Sequence, residues 1–428
     1  MTRHAKQMDP ASTGTMTNAR IGVRLLLTLA LLSGIAPFAI DMYLPAFPEM
    51  VTDLGTTASV VQLSLTAFLL GAGAGQVVFG PLSDRFGRAS PLIVGMVIYL
   101  IASAAAALAP SVEFLIVARL VQGLAAAAGM VISRAIVSDL ATGVEAARGL
   151  SIIMTVSGIA PVLAPVAGSL FAEPLGWRGL LWIVTALVAI GLVAVFLVVR
   201  ETNPRASRTT ASGRTAMSGS SRRTLTSRVY VGNTLAFVFA FTTMMAYISA
   251  SPFLYQGMMH LNQVQYGLAF GLNALALLAV GAVSARLTRR VHVATLARSG
   301  LLLNLGAVIV FGMLVVTDVP PIWLAVPIFV SVGVLGLSFG NTTALALAAV
   351  PTAAGLGSAI LGLLQNVFAG VAAPIVSSGG QSTAGPLAIT MLVTSALANL
   401  AFAFAGTHRS SRGTHPPTAS GAGGVPAS

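Results

Sequence analysis

Apolar runs of about twenty residues recur along the whole chain, and no other feature restricts its fold as strongly. A helix needs roughly 20 such residues to cross about 30 Å of hydrocarbon. The runs fall at 22–47, 58–80, 90–109, 113–136, 149–171, 178–199, 229–254, 265–285, 293–316, 320–345, 355–377 and 384–405, twelve in number. One large soluble core is no alternative. Only 8% of the 428 residues are charged, 56% are hydrophobic, and mean hydropathy is +0.90. A soluble domain carries about 25% charged residues to meet water. Disorder, a coiled coil, nucleic-acid binding and soluble enzyme chemistry are excluded together. The chain reads as an all-α polytopic membrane protein. It has no cysteine, hence neither a disulfide framework nor a thiolate metal site.

The basic residues give the spans a direction. With the N-terminus inside, 21 of the 23 Lys and Arg fall in inner loops or tails, leaving only Arg119 and Arg178. That is the positive-inside pattern, with both termini cytoplasmic. It accounts for the formal charge of +12 through an anionic leaflet rather than nucleic acid. The run from Ile21 is too long for a cleaved signal peptide and stays as the first span.

Polar composition divides the chain into a disordered N-terminus (1–20), a six-span half (21–200), a cytoplasmic linker (201–228), a second six-span half (229–405) and a disordered tail (406–428). Gly80-x-x-x-Asp84-Arg85-x-Gly87-Arg88 follows span two, and Gly281-x-x-x-Ala285-Arg286-x-x-Arg289 follows span eight, 201 residues later. This degraded echo predicts two six-helix pseudo-repeats with a pathway between them.

Charge inside a span is costly and marks function by default. Asp41 lies 17 residues past Arg24, roughly 25 Å above the inner edge at 1.5 Å per residue. Arg119 lies six residues past Glu113, roughly 9 Å below the outer edge. Their depths agree to roughly 4 Å for a core of about 30 Å, so they can pair or influence each other. Burial favours the neutral acid and a nearby guanidinium favours the carboxylate. Asp41 can therefore exchange a proton as access alternates, with Arg119 as a fixed countercharge. The alternative is a static salt bridge joining helices one and four.

Two further segments stand out. Gly80-Pro-Leu-Ser-Asp84-Arg85-Phe-Gly87-Arg88 reads as a cytoplasmic loop, its glycine making a close turn. Asp84 there would cap the next helix or accept from arginines across an interface. Gly158-Ile-Ala-Pro161-Val-Leu-Ala-Pro165-Val-Ala-Gly168 puts two prolines between glycines in span five. Kinking and close packing are expected there. Tyr43, Gln122, Tyr247, Asn273, Asn341 and Gln365 are candidates for lining a substrate cavity. Each could equally serve helix packing. The five histidines lie in loops, tails or span edges and make no metal cluster.

These segments carry a resemblance. Gly80–Arg88 resembles the loop signature of the major facilitator superfamily. Ala118-Arg119-Leu-Val-Gln122-Gly123 resembles the fourth-helix motif of its proton-coupled members, and Gly158–Gly168 the antiporter motif of its exporters. Asp41-Met-Tyr-Leu-Pro45, Trp177-Arg178, Glu201-Thr202 and Ile248-Ser-Ala-Ser-Pro252-Phe-Leu-Tyr255-Gln256 are similar to the bicyclomycin/chloramphenicol resistance (Bcr/CflA) branch of drug:proton antiporters. The resemblance implies the major facilitator fold with twelve transmembrane helices. It implies proton and substrate binding at Asp41, proton coupling supported by Arg119, and a cytoplasmic latch built from Asp84, Arg85 and Arg88. Ser33 stands where some multidrug relatives carry a second acid, which favours neutral or weakly charged drugs.

The resulting expectation is a proton-coupled antiporter in the plasma membrane that exports drug-like amphiphiles. It would work as a monomer, use no cofactor but the proton gradient, and have only small molecules, protons and lipid as partners. A specific exporter or permease for a sugar or other metabolite is the alternative on the same fold. An ATP-driven pump lacks its phosphate-binding loop, since Lys6 is the only lysine.

Overall fold

The computed structural model describes residues 21–202, 223–317, 319–377 and 384–406. The N-terminus 1–20, most of the 201–228 linker and nearly all of the 406–428 tail lie outside the described residues. Among those described there is no strand.

The first half holds α1 (Val23–Asp41), α2 (Phe47–Asp53), α3 (Ala58–Phe86), α4 (Ala89–Ala107), α5 (Val112–Leu140) and α6 (Gly143–Val198). The second holds α7 (Arg228–Pro252), α8 (Gln263–Leu287), α9 (Val293–Val315), α10 (Ala325–Val334), α11 (Phe339–Ala348), α12 (Ala354–Ser377) and α13 (Ala384–Ala405). Eleven stretches are long and apolar enough to cross a membrane. The expected count was twelve, and the difference lies in α6. Spans five and six form one 56-residue element broken at Gly176, whose φ of 63° and ψ of 177° are non-helical. At 1.5 Å per residue the segments of α6 before and after Gly176 are about 50 Å and about 33 Å long, each enough to cross a bilayer core of about 30 Å.

Two other spans differ from expectation in their bounds. The first span is not one helix to residue 47: α1 stops at Asp41 and a 3₁₀ turn, Leu44–Ala46, leads into α2. Pro45 and Pro48 lack N–H groups and fall in the opening positions of those two elements, where a missing donor costs nothing. The tenth span is interrupted by the 3₁₀ turn Leu335–Leu337 between α10 and α11. Pro161 and Pro165 lie inside α6 with helical dihedrals, and the non-helical residue of this element is Gly176, between spans five and six.

Small residues set the packing. A Cβ on Gly71 would lie 2.1 Å from the Leu120 carbonyl oxygen, and one on Gly123 2.0 Å from that of Phe68. The backbones of α3 and α5 are therefore in contact, as membrane interfaces allow. Gly123→Val should reduce folded protein recovered in mild detergent to about a tenth or less, since overpacking costs about 1–3 kcal/mol or more. Gly306→Val, which has open space on α9, should leave the yield unchanged.

The halves meet through α3 against α12 and α6 against α8. Among the described residues two hydrogen bonds join them, both at the Asp41 end. Ser249 Oγ donates to Gln62 Oε1 at 2.8 Å, and Gln256 Nε2 to the Pro45 carbonyl at 3.0 Å. The Phe47 and Phe253 rings add an apolar contact at 6.2 Å.

Candidate functional site

The termination of α1 shapes the site. Ending at Asp41, the helix leaves carbonyls of its last turn without the usual N–H four residues on. One of them, on Ala39, accepts from Arg119 Nη2 at 3.0 Å. A cation at the carbonyl end of a helix is a favourable placement. Arg119 Nη1 donates to Gln122 Oε1 at 2.6 Å, and Gln122 Nε2 in turn to Ser103 Oγ at 2.8 Å. The guanidinium lies over the Tyr43 ring at 4.4 Å and the Phe68 ring at 4.5 Å, and its side chain is fully buried.

Asp41 is 3% exposed, and its Oδ1 is buried without a hydrogen-bond partner. Asp41 and Arg119 are neighbours through Ala39 but do not form an ion pair in this state. Their similar depth was legible; the freed carbonyl that takes the guanidinium instead was not. Gly168 lets α6 press against α1 here, since a Cβ on it would lie 2.0 Å from the Met42 carbonyl oxygen. Ser169 packs against Gly267 of α8, bringing Tyr266 to the same region.

The remaining cavity candidates are distributed. Tyr43 is buried and shares a hydrogen bond with Ser64 Oγ at 3.1 Å. Tyr247 and Asn273 are buried together, with Asn273 Nδ2 donating to Tyr247 Oη at 2.6 Å. Asn341 donates to Ser284 Oγ at 2.9 Å and to the Leu337 carbonyl at 2.7 Å, beside the interruption between α10 and α11. Gln365 is half-buried on α12. Gly158 and Pro165 lie on the α6 surface facing α8, with Pro161 between them in sequence: Gly158 packs near Leu278, and the Pro165 carbonyl near Gly267.

The Gly80–Arg88 segment sits at the opposite end and is not the loop expected. Gly80 through Phe86 complete α3, and the turn is Gly87 alone, at φ 95°. Asp84 and Arg88 pair one helical turn apart, within the same half rather than across an interface. Arg88 Nε also donates to Asp139 Oδ2 of α5 at 2.7 Å, and Arg88 Nη1 to Ser83 Oγ at 2.8 Å. These carboxylates hold the Arg88 guanidinium above its ordinary pKa against the cost of its burial. Arg85 lies over the Phe86 ring at 5.3 Å. Glu201 accepts from the backbone N–H groups of Arg88 at 2.9 Å and Ala89 at 3.3 Å, closing the start of α4. Asp139 and Glu201 were missed as partners of Arg88; an acid beside an otherwise basic stretch was the available signal.

A comparable knot stands at the Asp41 end. Trp177 Nε1 donates to Asp53 Oδ2 at 2.8 Å, and Arg178 bonds the same oxygen. Arg178 also reaches the Ala109 carbonyl at 3.2 Å and lies over the Trp177 ring at 4.1 Å. The knot ties α2, which follows the Asp41 helix, to the Gly176 break. No group of metal-ligating residues occurs among the described residues.

Known proteins resemble the chain over most of its length. The family profile described as Major Facilitator Superfamily matches residues 29–374. An uncharacterized MFS-type transporter of Bacillus subtilis, YdgK, is 33% identical over 87% of this chain and 93% of its own. A bicyclomycin resistance protein homolog of Haemophilus influenzae is 26% identical over 89% and 95%. A chloramphenicol resistance protein of Pseudomonas aeruginosa is 35% identical, over 37% of this chain and 38% of its own. Among solved structures, the D-xylose–proton symporter superposes with a TM-score of 0.70 at 15% identity, covering 90% of this chain and 97% of that one.

Proposed function

The chain belongs to the Major Facilitator Superfamily, a superfamily of transporters and not enzymes, and on that premise we propose that it is a proton-coupled antiporter exporting drug-like amphiphilic compounds. Its multi-pass membrane character and its relatives named for antibiotic resistance support efflux. Under this reading α6 crosses twice, giving twelve crossings in a monomer in the plasma membrane with both termini cytoplasmic. No cofactor takes part, and the proton gradient drives the cycle.

The observation that carries the reading is Asp41, a buried carboxyl with an unpartnered oxygen beside a guanidinium engaged elsewhere. While Arg119 is held by Ala39 and Gln122, it makes no hydrogen bond to a carboxylate at Asp41. A shift of the guanidinium from Ala39 onto Asp41, as the Asp41 end loosens, would stabilise the ionised form and expel the proton. A substrate donor reaching the same oxygen would compete with that proton. Competition between two ligands for one group is the linkage that antiport needs. The bonds of Gln62 with Ser249 and of Pro45 with Gln256 fasten the halves on this side. They would break when the cavity opens there, while the Arg88 cluster keeps the first half rigid.

Efflux of a chemically diverse panel that includes chloramphenicol and bicyclomycin, from expressing cells with and without a protonophore, tests this. Collapse of the gradient should raise retained substrate about tenfold, a ratio equivalent to about 1.4 kcal/mol of lost driving force. Efflux that is indifferent to the protonophore would remove the proton from the mechanism.

A further inference from the structure

The second half carries a polar cluster that proton exchange at Asp41 leaves unused. Tyr247 on α7 and Asn273 on α8 meet Tyr255, which lies in a π-helical turn, Phe253–Met258, that follows α7. All three are buried, at 1%, 3% and 1% exposure in that order. Asn273 Nδ2 gives one hydrogen to Tyr247 Oη at 2.6 Å and the other to Tyr255 Oη at 3.0 Å. Both phenol oxygens are then acceptors, and two phenol hydrogens remain to be placed.

One phenol can donate to the other, which leaves a single hydrogen. Among the described residues no further acceptor is bonded to either hydroxyl. The adjacent Tyr266 shows the contrast: it shares a hydrogen bond with Ser251 Oγ at 3.0 Å, and Ser251 passes its own hydrogen to the Ile248 carbonyl at 2.8 Å. Buried polar hydrogens in folded proteins almost always have an acceptor. A site built with one donor to spare awaits a ligand that brings the acceptor.

The surroundings restrict that ligand. The Phe270 ring stacks on Tyr247 at 5.8 Å, and Tyr255 and Tyr266 complete an aromatic wall. The spans of the second half hold no deep acidic residue to attract a cation. We propose that the Tyr247–Asn273–Tyr255 cluster is the substrate's polar anchor in the second half, donating a hydrogen bond to a neutral oxygen acceptor on an aromatic or apolar body. Carbonyl, hydroxyl, nitro and sulfonyl oxygens share that chemistry. The assignment deepens the export reading and rests on it for calling the ligand a substrate.

The anchor is also wired to the closure between the halves. The turn that holds Tyr255 carries Gln256, bonded to the Pro45 carbonyl, and Phe253, packed on Phe47. Its backbone bond from Met259 N–H to the Leu254 carbonyl, at 3.0 Å, spans five residues rather than four. Such turns hold one extra residue and concentrate at functional sites. A ligand that pulls on Tyr255 therefore pulls on the fastening at the next residue, Gln256.

Equilibrium dialysis of purified protein in detergent against 2-acetylnaphthalene and 2-ethylnaphthalene, corrected with empty micelles, tests the anchor. The two probes differ in an acceptor oxygen and little else. The ketone should bind about tenfold more tightly, the span of one net hydrogen bond. The double variant Tyr247→Phe, Tyr255→Phe, made in an Asn273→Leu background so that freed amide hydrogens cannot replace the hydroxyls, should bring the ratio to within about twofold of one. Each single variant should keep part of the preference, since the spare hydrogen can sit on either ring. A ratio near one in the native protein, or a preference that survives in the double variant, overturns the proposal. If the double variant does not fold, the native ratio and the single variants decide the matter. No proton gradient enters the assay, so loss of the antiport reading would leave its result intact.

Discussion

Replacing Asp41 with asparagine should abolish gradient-driven efflux and leave the protein in the membrane at its native level. Asparagine matches the carboxyl in volume and cannot take up or release a proton. Among the described residues Asp41 makes no hydrogen bond that the amide would forfeit, and its Oδ1 is buried without a partner. Stability should therefore change little, since the usual cost of such a change is an orphaned partner. The transport effect should be large, with pH-driven uptake into everted vesicles falling about a hundredfold or more, a barrier change near 2.7 kcal/mol. Substrate exchange at equal pH on both sides should continue, because it needs binding and alternation but no net proton movement. That split identifies the role. If Asp41 only packed helices, both fluxes would fall together with the protein level. If pH-driven uptake persists in Asp41→Asn, proton coupling resides elsewhere.

Much of this arrangement was legible in the sequence, and the gaps have identifiable causes. Hydropathy places α3, α4, α5 and the helices of the second half, because crossing a bilayer demands unbroken apolar length. It also separates spans five and six at 172–177, the stretch that holds Gly176, but it does not show that a single residue at positive φ makes the turn. Helical rise put Asp41 and Arg119 at one depth, since 1.5 Å per residue needs no knowledge of packing. The partner that Arg119 takes, the Ala39 carbonyl, lies in the last turn of α1 and is open to it because the helix stops at Asp41. A main-chain acceptor leaves no mark in composition. The Gly80–Arg88 signature was visible as a motif and mistaken in form: Pro81 sits inside α3, and Gly87 alone turns the chain. Asp139 and Glu201 reach Arg88 from 51 and 113 residues away, distances over which no local spacing rule operates. The pairing of Gln62 with Ser249 is likewise tertiary, and neither residue stands out alone. What sequence reading lost in each case was a contact between elements, not an element.

Arg119→Lys should behave as a severe variant although it keeps the charge. The guanidinium performs three tasks at once: Nη1 to Gln122, Nη2 to Ala39, and a flat face against Tyr43 and Phe68. Lysine offers a compact ammonium on a flexible stem, without the planar fork or the stacking face. It can satisfy one acceptor, and the other is left in a fully buried site. Hydrogen bonds to charged groups contribute about 1.5–3 kcal/mol, and a desolvated cation–π contact about 2 kcal/mol. Losing one of each predicts a destabilisation of about 3–5 kcal/mol, read as a clear drop in melting temperature in detergent. Transport should fall about a hundredfold, because the end of α1 that carries Asp41 loses its anchor. Arg119→Met, nearly isosteric along the stem but uncharged, separates the two contributions. If charge alone matters, lysine should retain activity that methionine loses. If geometry matters as the structure indicates, both should lose transport, with the lysine variant the less stable because its cation remains buried and poorly paired. Native transport and melting behaviour in Arg119→Lys would show that the fork and the ring contacts are incidental. Arg119 would then act by charge alone, and the shift of its guanidinium from Ala39 to Asp41 would no longer explain how the proton leaves.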